Sequence, residues 1–159
     1  MELQQMYCSI YFQMELVEPK SPKEFKLYYD LRWRILRKPW NQPQGSEQDD
    51  LEESSFHRMI VNEKGKTLGV GRIQINFSEE AQIRYMAVED GYQNKGIGKL
   101  VLQSLEEIAA KKNVNFIILQ ARGNALTFYK NSGYQIMEKS YLLFGEIQHW
   151  LMRKVLARE

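Results

Sequence analysis

The chain has 159 residues and a formal net charge of +2, with 22 Lys and Arg against 20 Asp and Glu, 43% hydrophobic residues and a single cysteine, Cys8. This is the balance of an ordinary globular domain, long enough to bury about two-thirds of its unfolded surface, and the basic residues are interleaved with acidic ones, which argues against a nucleic-acid partner. One cysteine excludes an internal disulfide, no apolar run is long enough for a membrane span, and no basic region followed by an apolar core opens the chain, so cytoplasm is the expected location.

In chain order, Phe12 to Glu18 alternates as a strand, with Phe12, Met14 and Leu16 on one side. Ser21-Pro22-Lys23-Glu24 then carries the signals of a helix start: a Ser N-cap, Pro at the first helical position and Glu where a capping box needs it. Phe25, Tyr28, Leu31 and Ile35 repeat at helical spacing, Arg32, Arg34, Arg37 and Lys38 gather toward the C-terminal end, and Pro39 closes the helix. The polar stretch from Trp40 to Ser54 is a long loop, readable either as functional or as a solvated acidic connector.

Three strands follow, Phe56 to Val61, Leu68 to Phe77 and Gln82 to Val88, joined by turns at Glu63–Lys66 and Ser78–Glu80. In the second, Leu68 and Val70 lie on one parity while Ile73, Ile75 and Phe77 lie on the other. In the third, Ile83 and Tyr85 are out of phase with Met86 and Val88. Such a change of parity marks either a β-bulge or a central strand buried on both faces.

Gln93-Asn94-Lys95-Gly96-Ile97-Gly98 and Lys99 come next, leading into a helix striped by Ile97, Val101, Leu105 and Ile108 and closed at Lys111-Lys112-Asn113. Two glycines at the start of a helix expose backbone N–H groups where the helix carries partial positive charge, an arrangement that binds anions. The nearly all-apolar run Val114 to Leu119 completes a βαβ unit with parallel strands. Asn124 is the expected cap of a short helix, Ala125 to Ser132, with Gly133 just past its end, and Tyr134–Lys139 and Gly145–Leu156 are the last two strands. The resulting order is β-α-β-β-β-α-β-α-β-β. It describes one α+β domain over residues 1–159, a three-layer α-β-α arrangement whose mixed, mostly antiparallel sheet has a central βαβ crossover.

Two phosphate-binding readings of the glycine turn fail. A P-loop needs Gly at position 93 and Ser or Thr at 100, where Gln93 and Leu100 stand; a dinucleotide fingerprint needs Gly or Ala at 101, where Val101 stands, and a mostly parallel sheet. The turn instead resembles the Gln/Arg-x-x-Gly-x-Gly/Ala motif of the GNAT superfamily of N-acetyltransferases. Asn124-Ala125-Leu126-Thr127-Phe128-Tyr129-Lys130-Asn131-Ser132-Gly133-Tyr134 is similar to that family's second signature. Within the family, Leu31–Ile35 and Gly145–Met152 resemble the branch that includes the ElaA-type proteins.

The resemblance implies a GNAT-like acyl-CoA N-acyltransferase fold and transfer of an acetyl group from acetyl-CoA to a primary amine of a small molecule or peptide, with no metal. A non-catalytic acyl-CoA-binding or regulatory domain of the same fold is the alternative. It implies that Gln93, Asn94, Lys95, Gly96, Ile97, Gly98 and Lys99 hold the pyrophosphate, that the backbone of Met86, Ala87 and Val88 pairs with the pantetheine amides, and that Asn124 and Phe128 touch the coenzyme. Met86 or Val88 would aim one N–H at the thioester carbonyl, and Tyr129 would protonate the departing thiolate. For the base, chain order nominates His149, Glu146 and His57, with Glu79, Glu80 and Glu89 behind them and a water relay as a further route. A homodimer is compatible with the family.

Overall fold

The structure is a computed structural model describing residues 14–157. Cys8, Phe12 and Gln13 lie outside the described residues, so the first predicted strand is seen only as β1, Met14–Val17. There follow α1 (Pro22–Leu36), a 3-10 turn (Lys38–Trp40), β2 (Phe56–Asn62), β3 (Thr67–Phe77), β4 (Glu80–Val88), α2 (Ile97–Lys111) and β5 (Phe116–Arg122). A second 3-10 turn (Gly123–Ala125), α3 (Leu126–Asn131), β6 (Gln135–Leu143) and β7 (Ile147–Val155) complete the described chain. The strands form one sheet in the order β1-β2-β3-β4-β5-β7-β6. β4 and β5 are parallel, with rungs from Glu80–Phe116 to Ile83–Leu119, as the βαβ reading requires. The insertion of β7 between β5 and β6 was not expected: β7 pairs antiparallel with both.

The described chain divides into two compact units. One takes the described part of Met1–Asp49 with His57–Gly71 and Tyr85–Leu102. The other takes Asp50–Phe56, Arg72–Arg84 and the described part of Gln103–Glu159.

In the first unit, α1 starts as its sequence dictates. Ser21 Oγ accepts from the Glu24 N–H at 3.1 Å, Glu24 Oε1 accepts from the Ser21 N–H at 3.2 Å, and Pro22 occupies the first turn. Tyr28 and Leu31 are buried with Met59 of β2, Val70 of β3 and Ala87 of β4. Arg32, expected among cations at the helix end, is instead fully buried. Its Nη1 donates to the Glu47 carbonyl (3.1 Å), its Nη2 to the Tyr28 hydroxyl (2.8 Å), and its guanidinium lies 4.5 Å from the Tyr85 ring centroid. Trp33 Nε1 and Arg37 Nε donate to the Gln42 and Ser46 carbonyls. The stretch after the helix is therefore anchored by its backbone, not merely a solvated connector.

Adjacent strand residues point to opposite faces, so Val70 meeting α1 means Gly69 faces the other way. There it meets α2. A Cβ on Gly69 would stand 2.6 Å from Ile97 Cγ2 and 3.4 Å from Val101 Cγ2. The missing side chain is what allows the first turn of α2 to lie directly on β3, and the two helices cover opposite faces, giving the three-layer arrangement. Thr67 to Gln74 are all buried, so the parity change read in β3 reflects burial on both faces, not a bulge.

In the second unit, Ala81, Ile83, Leu105, Ile117, Leu119, Tyr134 and Met152 are among the buried core residues. Arg72 is fully buried and paired with Glu52 at 2.7 Å. Lys154 Nζ lies 2.6 Å from Glu106, which also accepts from the Tyr134 hydroxyl.

Replacing Gly69 by Val or Ala puts a Cβ inside the contact distance of a β-branched neighbour that cannot swing away. An overpacked site of this kind costs about 2 kcal/mol. Denaturant unfolding of Gly69→Ala should show that loss at unchanged m-value; an unchanged midpoint would contradict the seating of α2 on β3.

Candidate acyl-coenzyme site

In the first unit, the end of β4, the glycine turn and the start of α2 form one continuous stretch. Tyr85 has φ +57, in the left-handed region that aromatic residues rarely adopt. It stands where the sequence pattern slips, so β4 carries the interruption that β3 does not. Such a conformation costs about 1–3 kcal/mol and persists only where surroundings impose it. Here the ring lies 4.5 Å from the Arg32 guanidinium and 5.6 Å from that of Arg37, and the hydroxyl donates to Asp49 Oδ2 at 3.4 Å. Met86, Ala87 and Val88 follow it, beyond the last rung that β4 makes with β5.

Glu89, next in the chain, does not behave as a base. Its carboxylate accepts from Arg34 Nη1 at 2.9 Å and Nη2 at 2.7 Å, while its N–H donates to the Leu68 carbonyl at 2.9 Å. The Arg34 hydrogen bonds hold its carboxyl below the usual range despite the opposing effect of burial. Glu89 is the latch between α1 and the exit of β4.

The turn itself fits an anion. Asn94 and Gly96 have φ of +60 and +84, and Gln93 to Gly96 are exposed. The first helical hydrogen bond in the stretch is Leu100 N–H to the Gly96 carbonyl, 3.1 Å, which leaves the N–H groups of Ile97, Gly98 and Lys99 without an acceptor in the helix. Ile97 is buried against Gly69 while its neighbours face out, so the donors are fixed at an open surface. A pyrophosphate suits these residues: small, backbone-exposing and at the positive end of a three-turn or longer helix.

In the second unit, β5 runs through Arg122 into the 3-10 turn Gly123–Ala125 and then α3. Asn124 is not the helix cap. Leu126 N–H donates to the Gly123 carbonyl, so the 3-10 turn satisfies the donor that a side-chain cap would have served, and the exposed Asn124 side chain is left for other uses. The other end follows expectation: Gly133 has φ +93, its N–H donates to Lys130 O and the Tyr134 N–H to Tyr129 O, a Schellman closure.

Tyr129 is buried, its ring edge-on to Phe128 and Tyr134 at centroid distances of 4.9 and 5.8 Å. Burial pushes its phenol above the ordinary value, with the positive charge of Arg122 acting in the opposite sense. His149 is also buried. It stands opposite Arg122 in the β5–β7 ladder and stacks on Tyr141 at 4.5 Å, with Nδ1 2.9 Å from the Ile147 carbonyl. A carbonyl only accepts, so Nδ1 carries the proton and the lone pair of a neutral ring resides on Nε2.

The remaining base candidates separate by position. Glu146 is exposed in the β6–β7 turn, its N–H bonded to the Leu143 carbonyl. Glu79 and Glu80 sit at the opposite end of β4 from Met86–Val88, and Glu80 accepts from Asn76. His57, in the first unit, is buried with Nδ1 2.9 Å from the Tyr28 hydroxyl, which itself donates to Gly71 O. Among the described residues no group of three or more His, Cys, Asp or Glu is placed to hold a metal ion, and no helix is long and apolar enough to cross a membrane.

The sequence reading missed three contributors: Gly69, Arg34 and the pinning of Tyr85. A glycine inside an apolar strand, as in Leu68-Gly69-Val70, was the available signal for the first. Nothing local in the sequence distinguishes Arg34 from its neighbours.

A sequence model described as "Acetyltransferase (GNAT) family" matches residues 25–134, which includes most of α1, the turn and α3. The chain belongs to the GNAT acetyltransferase family. A relative from Bacillus subtilis (strain 168), named uncharacterized N-acetyltransferase YjcF, is 28% identical over 141 residues, covering 89% of this chain and 99% of its own. Among solved structures, an aminoglycoside 6'-N-acetyltransferase complexed with coenzyme A has a TM-score of 0.76 at 14% identity, over 92% of this chain and 98% of that one. ElaA of Escherichia coli has a TM-score of 0.73 at 16% identity, over 89% and 99%. These last two are likenesses of the GNAT fold.

Arg34 is partly exposed and Glu89 is buried, so Glu89→Gln should cost about 2 kcal/mol at neutral pH. Because the folded carboxyl binds its proton more weakly than the unfolded one, its stabilisation is present above the ordinary carboxylate value of 4.5 and is lost as pH falls below it. The difference between wild type and Glu89→Gln, followed by unfolding at several pH values, should therefore shrink at acid pH; a difference independent of pH would contradict the latch.

Proposed function

We propose that the protein is an acetyl-CoA-dependent N-acetyltransferase acting on a primary amine of a small molecule or peptide by direct attack. The observation that favours an enzyme over a coenzyme-binding module is Tyr129: a buried phenol that its surroundings hold in the protonated form, at the position of the family's second signature.

Each part of the chain has a distinct task in this reading. The N–H groups of the Gln93–Lys99 turn bind the pyrophosphate, and Lys99 adds charge. The backbone of Met86, Ala87 and Val88 pairs with the pantetheine amides in the manner of an added strand. The interruption at Tyr85 turns one N–H of this segment, that of Met86 or Val88, toward the acyl carbonyl, where such a donor contributes about 3 kcal/mol. Asn124 and Phe128 add contacts to the coenzyme at the start of α3.

When bound, the coenzyme supplies an acyl thioester, an electrophilic carbon with a thiolate leaving group. The amine must attack as its free base, and a lysine-like amine is mostly protonated near pH 7. His149 accepts that proton on Nε2, the nitrogen left with the lone pair by the Ile147 hydrogen bond. Tyr129 donates its hydroxyl proton to the departing sulfur and recovers one from the nitrogen, which sheds its second proton as the amide forms. A phenol raised by burial is a weaker acid than an ordinary one, so the proton moves only as negative charge gathers on sulfur, and Arg122 eases the transfer by stabilising the phenolate. Glu146 is the alternative base, and His149→Ala against Glu146→Gln separates the two.

Release of coenzyme A measured over a panel of amines tests the proposal. Tyr129→Phe should lower kcat by roughly 10²–10⁴-fold with little change in the KM for acetyl-CoA. Since the phenol stays protonated beyond its ordinary value of 10.0, wild-type activity should show no alkaline fall attributable to Tyr129 up to that pH. Coenzyme binding without turnover, unaltered in Tyr129→Phe, would leave only a binding domain.

Gly96→Asp places a carboxylate at the anion site on an exposed position, so calorimetry should show acetyl-CoA affinity falling by about two orders of magnitude with the circular dichroism unchanged. Unaltered affinity would contradict the assignment of the turn.

A further inference from the structure

Two lysines converge on one ring beside the turn, and only one of them belongs to the GNAT motif. Lys66 and Lys95 each place Nζ 5.3 Å from the centroid of the Tyr92 ring. Tyr92 directly precedes Gln93, and its N–H donates to the Glu89 carbonyl at 3.0 Å, so the ring is tied to the exit of β4.

The approach of Lys66 is built into the β2–β3 hairpin. Asn62 Oδ1 accepts from the N–H groups of both Lys64 (3.0 Å) and Lys66 (2.9 Å), while the Asn62 N–H donates to the Lys66 carbonyl at 3.0 Å. The Lys66 backbone is thus bonded through both its polar groups, and Gly65 supplies the φ of +78 that the turn needs. Only the flexible stem of the side chain remains free to move.

Two ammonium groups gathered at one ring repel each other, and a cation over an exposed aromatic gains only about 0.5–1 kcal/mol. Among the described residues neither ammonium is paired with a carboxylate. Glu89, whose carboxylate feels the charge of Lys66, is already committed to both terminal nitrogens of Arg34. What would relieve the repulsion is a compact dianion, whose several oxygens can accept from both ammonium groups at once.

We infer that Lys66 and Lys95, braced on Tyr92, receive the 3'-phosphate of coenzyme A. This inference rests on the coenzyme reading of the adjoining turn. The 3'-phosphate hangs from the same ribose as the pyrophosphate, only a few bonds away, so a coenzyme held by Gln93–Lys99 carries its second anionic group past the residue that precedes the turn. The pairing selects for the phosphorylated ribose, a part of the coenzyme remote from the acyl group. Lys66, outside both family signatures, becomes a specificity-determining residue for the donor.

The test compares acetyl-CoA with acetyl-3'-dephospho-CoA by calorimetric titration of wild type, Lys66→Gln, and the double variant Lys66→Gln with Lys95→Gln. Wild type should bind the phosphorylated form about tenfold more tightly, a preference that shrinks with added salt. Lys66→Gln should lose much of that preference while its affinity for the dephospho form stays near the wild-type value, and the double variant should lose the rest of the preference. Lack of discrimination by wild type, or equal loss of both ligands in Lys66→Gln, overturns the assignment while leaving the turn as the pyrophosphate site. Failure of wild type to bind either form overturns the coenzyme reading together with this one.

Discussion

The seating of Ile97 on Gly69 is the contact on which the site depends. An anion-binding turn is useful only if its N–H groups stay put, and a helix N-terminus exposed to water has a tendency to fray. Here the first residue of α2 is buried on a strand that offers no side chain to hold it off. The absent Cβ therefore does two things: it lets the helix approach the sheet, and it lets Ile97 anchor a turn whose other residues face solvent. Polarity and order, normally in competition at a surface, coexist because one residue of the turn is apolar and fixed.

Strain enters immediately upstream and is held from the α1 side. A left-handed tyrosine inside a strand is unfavourable, yet Tyr85 is gripped by Arg32 of α1, by Arg37 at the C-cap of that helix and by Asp49 from the following stretch. Arg34, on the same helix, takes both oxygens of Glu89 where β4 ends. A helix that would otherwise only cover one face of the sheet thereby fixes the conformation of the segment from Tyr85 to Glu89. Its arginines are expensive to bury, and Arg32 offsets that expense with hydrogen bonds and aromatic faces. The exit of β4 and its rigid support are thus separate in sequence and joined by cations.

What could be read from the sequence was local. The Ser21–Glu24 capping box, the Gly133 helix closure and the βαβ crossover each depend on residues within a few positions of one another, and each stands as read. Of the two readings that a parity slip leaves open, β3 realises burial on both faces and β4 an interruption at Tyr85, because both write the same apolar pattern. Asn124 has the composition of a cap, but a 3-10 turn reached the helix first and met the donor with a carbonyl. The placement of β7 between β5 and β6, the Arg34–Glu89 latch and the meeting of Lys66 with Lys95 are pairings distant in sequence, for which periodicity carries no signal. Of the proposed site, the turn and Tyr129 carry motifs that are visible in the sequence. The residues packed around them carry none.

The role of the turn is tested most directly by amide resonances of the ¹⁵N-labelled protein during titration with coenzyme A. If the pyrophosphate is bound by backbone donors, the Ile97, Gly98 and Lys99 N–H signals move downfield and rank among the largest changes in the spectrum. Binding that leaves these three amides unmoved while others shift would contradict the turn as the place where the coenzyme is held.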